Sequence, residues 1–395
     1  MLPLILADAL TDEQQTTLRR YYRSTRSPYM RDLAAELDTI TTERDAFQAM
    51  LPLTLVMEEN EERRPTHRLH RGDYAEPREE VSPGIPDALP PMADDQPRNR
   101  LGFARWLVSP DHPLTARVTV NRLWQQMFGT GLVRTAEDFG SQGEWPSHPE
   151  LLDWLAVEFV ESGWDVKHML RLMATSQAYQ QRAAVTPELL SRDPANRLLA
   201  RGPRFRLAAE EIRDQALLAS GLLVGTVGGP PVKPTQPKGL WFDVGYTDSN
   251  TANFTPDAGE ALYRRSMYSY WKRTSPPPNM VAFDAPTREA CTVRRSRTNT
   301  PMQSLVLLND PQFVEASRVL ARRVLRAESH TDAQLAMAFR LLTSRSPDAA
   351  ELDVLRELYE GELARYADNT FDALRCWRWG PHPAMKRSTP RPTPR

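Results

Sequence analysis

Along most of the chain, apolar residues recur every three or four positions, the spacing of helices that bury one face. The first such pattern follows Thr11-Asp12-Glu13-Gln14, a capping-box sequence that predicts a helix through Tyr22. A second, over Tyr29–Ala49, carries Leu33, Leu37, Ile40 and Phe47 as an apolar stripe. Together they read as two antiparallel helices at the end of a larger helical segment. Leu53–Met57 alternates like a short strand. Residues 63–98 break the pattern with seven prolines, whose fixed φ and missing N–H exclude helix and central strand, so this stretch reads as an extended connector. Its Arg71-Gly72-Asp73 tripeptide is a chance-level match.

Helical spacing resumes at Arg100 and stops before Ser109-Pro110. It returns over Pro113–Phe128, with Val120, Leu123 and Trp124 inward and Gly129 and Gly131 as C-cap and turn. Ser147-His148-Pro149-Glu150 reads as a capping box for the helix to Gly163, and Asp165 caps the next, towards Tyr179. A further helix spans Leu207–Leu222. Leu262–Trp271 (LYRRSMYSYW) has the partial alternation and aromatic content of a strand, with Val281–Asp284 as a short hairpin-like partner. Thr300-Pro301-Met302-Gln303 opens a long helix to Ala327; Thr331–Gln334 and Ser346-Pro347-Asp348 open two more. The fold class is mostly α: an irregular multi-helix domain with Pro-rich loops and a small β element. The expected divisions are a remnant helical segment (1–62), the connector (63–98), a helical domain (99–365) and an aberrant tail (366–395).

Composition narrows the function. The 395 residues carry a net charge of −1, so no global basic footprint marks the chain for nucleic acid. No apolar run approaches the length of a membrane span. The cations are nearly all arginine, with lysine only at 167, 233, 238, 272 and 386. A GC-rich genome explains that bias; planar guanidinium groups would also suit carboxylate or sulfate recognition. Cys291 and Cys376 form no C-x-x-C and read as unpaired thiols.

The densest stretch is LTARVTVNRLWQQMFGTGLVRTAEDFGSQGEWPSHPELLDWL, residues 114–155. Arg117 and Asn121 lie four apart on one helix face, beside Arg122. If the following loop folds back, Asp138, His148 and Asp153 meet them. Such a group could bind an anion or use His148 as an acid or base; the same residues would equally fix the loop as a buried polar network. A second concentration is Arg294, Arg295 and Arg297, with Asn299, just before a helix N-terminus. Arg201, Arg204 and Arg206 are a third. The anion these would take is a sulfated or carboxylated glycan, or a carboxylate on another domain. Trp241, Tyr246, Tyr268, Tyr270 and Trp271 would suit either a sugar platform or a core. His112, His148 and His168 fit no standard metal spacing, and no serine or cysteine stands in a nucleophile motif.

The 114–155 stretch, with SQAYQQ (176–181), NRLLARGPRFRLAAEEIRD (196–214), GGPPVKPTQPKGLW (228–241), RRSMYSYWKRTSPPPNMVAFDAP (264–286) and RTNTPMQSLVLLNDPQFVEASRVLA (297–321), resembles the planctomycete cytochrome-associated family known as domain of unknown function 1553. The resemblance runs collinearly over residues 98–364. It implies an exported multidomain protein, periplasmic or at the cell surface, with a cytochrome-c-like haem domain upstream. It therefore implies no cofactor in this chain, and the upstream domains and a polysaccharide as partners. It supplies no reaction. Against the family pattern the chain reads as a truncated member. Its end, CWRWGPHPAMKRSTPRPTPR, holds no acidic residue and resembles an out-of-frame product with no fixed structure.

Overall fold

The computed structural model describes residues 10–377 apart from 52, 59, 246–248 and 250. It is mostly α-helical, with one two-stranded sheet among the described residues. The chain divides into two units at Gly84 and Ile85.

In the first unit, α1 (Asp12–Thr25) starts in the expected capping box: Thr11 Oγ1 accepts from Gln14 N at 3.3 Å and Gln14 Oε1 from Thr11 N at 3.0 Å. It packs on α2 (Pro28–Met50). Neither helix buries a residue, and Leu37, Ile40 and Phe47 remain more than half exposed. Residues 53–57 form no strand; no neighbouring segment supplies the ladder that a strand requires. The β element lies in the connector instead. There β1 (His67–Leu69) pairs antiparallel with β2 (Pro77–Glu80). Pro77 opens β2, where its missing N–H costs least.

The second unit begins with α3 (Arg100–Leu107), which Asn99 caps through Gly102 N. A Cβ on Gly102 would lie 1.9 Å from Pro97 O, so only glycine admits the incoming chain. Trp106 Nε1 donates to Pro90 O at 2.8 Å, holding the Pro-rich strand against the helix. The next three helices, α4 (Thr115–Phe128), α5 (Pro149–Glu161) and α6 (Val166–Thr175), enclose a core of Val120, Trp124, Leu132, Leu155, Phe159, Met169 and Met173. Ser147 does not cap α5. His148 is the N-cap residue, Pro149 the first helical position, and Ser147 Oγ lies 3.4 Å from Leu132 O. The third helix is capped by Asp165, as its sequence predicts, but ends at Thr175.

After the short α7 (Pro187–Arg192), a second helical group forms around α8 (Ala209–Ser220). It contains α9 (Pro278–Ala282), α10 (Pro301–Asn309) and α11 (Pro311–Ala327). Ala209, Met280, Phe283 and Phe313 form one cluster; Leu217, Leu222 and Val319 form another between α8 and α11. The expected helix over 300–327 is two helices. Pro311 has no N–H to continue the first, and Asp310 caps the second by accepting from Gln312 N at 2.9 Å. Helices α12 (Thr331–Thr343), α13 (Ala349–Asp368) and α14 (Thr370–Trp377) complete the unit. His330, not a Thr331 capping box, precedes α12, and Asp348 with Glu351 boxes α13. The tail expected from residue 366 is helical through Trp377; its remainder, 378–395, lies outside the described residues. No helix among the described residues is long and apolar enough to cross a membrane.

Residues 262–271 are not a strand, nor is Val281–Asp284 its hairpin partner. The first segment makes two 3-10 turns, Gly259–Tyr263 and Ser266–Tyr268, and α9 takes the first half of the second. The reason is Arg213 of α8, 2 % exposed. Its Nη2 donates to Leu262 O at 2.7 Å and its Nη1 to Arg264 O at 2.9 Å, while its Nε donates to Gln312 Oε1 at 2.5 Å. Beside it Asp214 Oδ1 accepts from Ser266 N at 2.8 Å. Three of the backbone groups that a strand would offer to a neighbour are thus taken by two side chains of one helix, and the pairing left to the segment is two isolated bridges, Val224 with Arg264 and Val232 with Ser269. Burial pulls the Arg213 pKa down to about 10, against the charges of Asp214 and Asp310.

Replacing Arg213 by Met should therefore cost roughly 3 kcal/mol or more, because buried carbonyls lose their donors. Urea unfolding reads this directly, and a loss under about 1 kcal/mol would contradict the role assigned to Arg213.

Candidate functional site: an arginine-lined cavity

The site starts at the end of α4. Gly129, at φ +85°, ends the helix in the left-handed conformation, with its N–H on Gln125 O at 2.9 Å. Two residues on, the chain turns over Asn121, which has no solvent-exposed surface. Asn121 Nδ2 donates to Val133 O at 3.0 Å, and Val133 N donates to Asn121 Oδ1 at 2.9 Å. A side-chain amide here replaces a backbone partner, satisfying both polar groups of a buried residue. The turn is closely packed on both faces. A Cβ on Gly131 would lie 2.7 Å from the Asn121 amide, and one on Gly129 would lie 2.7 Å from the Phe205 ring.

The loop after the turn is pinned by its own side chains. Ser147 N donates to Leu132 O at 2.9 Å, Glu144 N to Thr135 Oγ1 at 2.9 Å, and Gly140 N to Asp138 Oδ1 at 2.7 Å. A second loop, 193–202, faces the turn across a cavity. Asp193 accepts from Arg197 N at 2.8 Å and Leu198 N at 2.7 Å. Burial works against this carboxylate, but those two N–H groups and the charges of Arg201 and Arg197 together hold its pKa below the usual range. Arg201 is 8 % exposed and donates to Asp193 O at 3.0 Å and Pro194 O at 2.9 Å. Arg197 Nη1 reaches back to Glu144 Oε2 at 2.6 Å, joining the two loops.

The third wall comes from the segment before α10. Arg297 stacks over Phe205 at 4.2 Å and donates to Gly129 O at 3.0 Å. Burial lowers the Arg297 pKa, Arg206 adding to it and Glu211 opposing it. The segment is anchored by Asp284, in the left-handed region at φ +61°. That residue pairs with Arg206 and accepts from Thr298 N at 2.8 Å.

These walls enclose a cavity of about 380 Å³. Arg197, Arg201, Arg204 and Arg297 line it with Trp124, Phe128, Phe205 and the Gly129–Leu132 backbone, and no carboxylate is among the lining residues. Arg201 and Arg197 spend donors on carbonyls and on Glu144. Arg204 is exposed at the cavity and has no hydrogen-bond or ion-pair partner among the described residues. The arrangement can accept a carboxylate, sulfate or phosphate in forked guanidinium hydrogen bonds, beside an aromatic floor where Trp124 stacks on Phe128 at 3.9 Å.

Arg297 from the second sequence concentration and Arg201 and Arg204 from the third line one cavity with the Gly129–Gly131 turn of the first. The other expected site residues stand elsewhere. Arg117 Nε pairs with Asp153 at 2.7 Å and its Nη1 donates to Pro113 O at 2.5 Å. Asp138 caps its own turn, and His148 Nδ1 lies 3.0 Å from Ser147 Oγ. Arg117, Asn121, Asp138 and His148 thus occupy separate contacts. Arg122 and Asn299 are exposed outside the cavity lining. Arg294 lies 3.8 Å from Glu137 and Arg295 2.6 Å from Glu210, so both are engaged as ion pairs.

The aromatic group forms no open platform. Trp241 is 2 % exposed and packs on Phe254 and Tyr270, Tyr268 lies under Arg264, and Trp271 under Arg288. Tyr246 is outside the described residues. His112 accepts from Thr115 N at 3.2 Å and His168 pairs with Glu158 at 2.6 Å. No cluster with metal-ligand geometry occurs among the described residues. Cys291 is exposed and unpaired; the Cys376 side chain is outside the described residues. Sequence reasoning missed Arg197 and Phe205. The available signal was Asp193-Pro194-Ala195-Asn196, a turn sequence that throws the next arginines to one side.

A family model described as a protein of unknown function (DUF1553) matches residues 99–359. No curated protein and no solved structure matches the chain.

If Asn121 holds the turn, Asn121→Ala should cost roughly 2–4 kcal/mol by leaving the Val133 N–H and C=O buried without partners. Arg117→Ala, which removes a partly exposed pair, should cost under about 1 kcal/mol. Urea unfolding of both variants measures the contrast; equal losses would contradict it.

Proposed function

The chain belongs to the family of proteins of unknown function 1553, and we propose that its helical domain is a binding module whose arginine-lined cavity takes the anionic group of a larger ligand. The observation that carries this reading is the cavity itself: four guanidinium groups, no lining carboxylate and an aromatic floor. With a net charge of −1, the attraction is local to the cavity rather than a property of the whole surface. Partial burial strengthens each charge-assisted bond to an incoming anion.

The setting we infer follows the family resemblance. The module is part of an exported, cytochrome-c-linked protein of planctomycete type, periplasmic or at the cell surface. Residues 63–98 connect it to upstream domains that carry the haem. Its ligand is a sulfated or carboxylated glycan, with a carboxylate of an upstream domain as the competing occupant.

The alternative is an extracytoplasmic enzyme acting on sulfated polysaccharide with His148 as acid or base. It would draw on Arg117, Asn121, Asp138 and His148 together. The module reading is supported over it by their separate engagements: Asp153, the Val133 backbone, the Gly140 N–H and Ser147.

Calorimetric titration with a sulfated galactan tetrasaccharide tests the proposal. The intact protein should bind it and not the uncharged tetrasaccharide, with affinity falling as salt rises. Arg204→Ala and Arg297→Ala should each weaken binding roughly tenfold, the worth of one charge-assisted contact. Unchanged affinity in both variants would overturn the site. Turnover of the glycan that His148→Ala abolishes would instead establish the enzyme.

A further inference from the structure

Two residues before Ser147, which lines the cavity, a large aromatic side chain is left in water. Trp145 is 89 % exposed, although an indole is among the most favourable side chains to bury. Its backbone is not loose. On one side Glu144 is tied by its N–H to Thr135 Oγ1 at 2.9 Å and by its carboxylate to Arg197 at 2.6 Å. On the other, Pro146 fixes φ, and Ser147 N donates to Leu132 O at 2.9 Å. Just before, a Cβ on Gly143 would lie 2.2 Å from Asp138 O, so the loop base is packed without room to spare. Two of these anchors, Arg197 and Ser147, themselves line the cavity.

The loop is therefore held at both ends while its indole stays exposed, and its anchors Arg197 and Ser147 line a cavity whose chemistry is guanidinium. We infer that Trp145 is a specificity-determining binding residue: its indole stacks on the C–H face of a sugar ring next to the ring whose anionic group enters the arginine cavity. The ligand class this selects is an anionic oligosaccharide of at least two residues, rather than a free anion or a charged monosaccharide. A rigidly presented indole gains contact area at little entropic cost, since its backbone is already ordered. A nucleotide would also offer a ring and an anion. The net charge of −1 gives the chain no global basic footprint for a polyphosphate backbone. The sugar is the occupant that needs only what is present.

This inference rests on the anion-cavity reading, and the experiment separates the two. Trp145→Ala and Trp145→Phe remove an exposed side chain and leave the loop anchors in place. Galactose 6-sulfate and a sulfated galactan tetrasaccharide are titrated into the intact protein, both variants and Arg204→Ala. Trp145→Ala should leave the monosaccharide affinity unchanged and weaken the tetrasaccharide roughly five- to twentyfold, with Trp145→Phe intermediate. Arg204→Ala should weaken both. Tetrasaccharide binding that depends on Arg204 but not on Trp145 overturns the present inference alone. Absence of binding by either sugar to the intact protein overturns both readings. Adenosine monophosphate, run in parallel, replaces the sugar as the ligand class if it alone binds in a Trp145-dependent way.

Discussion

The pairing of Asn121 with both backbone groups of Val133 is the constraint on which the first half of the domain depends. It lies in the core, where neither group has water as an alternative, so losing it costs more than its net gain in water would suggest. It fixes where the chain leaves α4 and how closely the turn lies on the helix. The two glycines follow from it. One must be left-handed to leave the helix, and the other must let the backbone approach the Asn121 amide. Only a turn held this close leaves Gly129 O facing Arg297 and its backbone open to a cavity.

The second half is organised by the same device with an arginine in place of an asparagine. Arg213 and Asp214 serve the backbone of an irregular, Pro-rich excursion, and Arg264 does the same for the Gly228–Pro230 bend, donating to Pro230 O at 2.9 Å. A domain with so many prolines cannot satisfy its backbone in ladders. It uses buried side chains from a few helices as substitutes. The scarcity of lysine fits that requirement too, since a planar fork can serve two or three carbonyls at once.

Much of the helical framework was legible in the sequence. Thr11, Asp165, Thr300 and Asp348 mark helix starts with a physical mechanism, and the structure places helices there. The two strand errors share one cause, long-range partners that local patterning does not encode. Leu262–Trp271 alternates like a strand but has its Leu262 and Arg264 carbonyls claimed from α8. Leu53–Met57 alternates and has no neighbour. The break at Asp310-Pro311 was local and readable, and the apolar spacing on either side concealed it. At the site, residue types were a good guide and groupings were not. Asn121, Arg117 and His148 stood out as chemistry, yet each serves the backbone or a local pair. The cavity instead unites Gly129 with Arg297, 168 positions apart, a juxtaposition no spacing rule could reveal.

The claim that the three segments converge to hold an anion is tested most directly by a crystal structure of the protein soaked in selenate, whose anomalous signal locates the ion without reference to the protein density. The expected result is a peak about 3 Å from the guanidinium nitrogens of Arg204 and Arg297, within the cavity bounded by Gly129 and Leu132. Selenate bound only elsewhere on the molecule, with this cavity holding none, would contradict it.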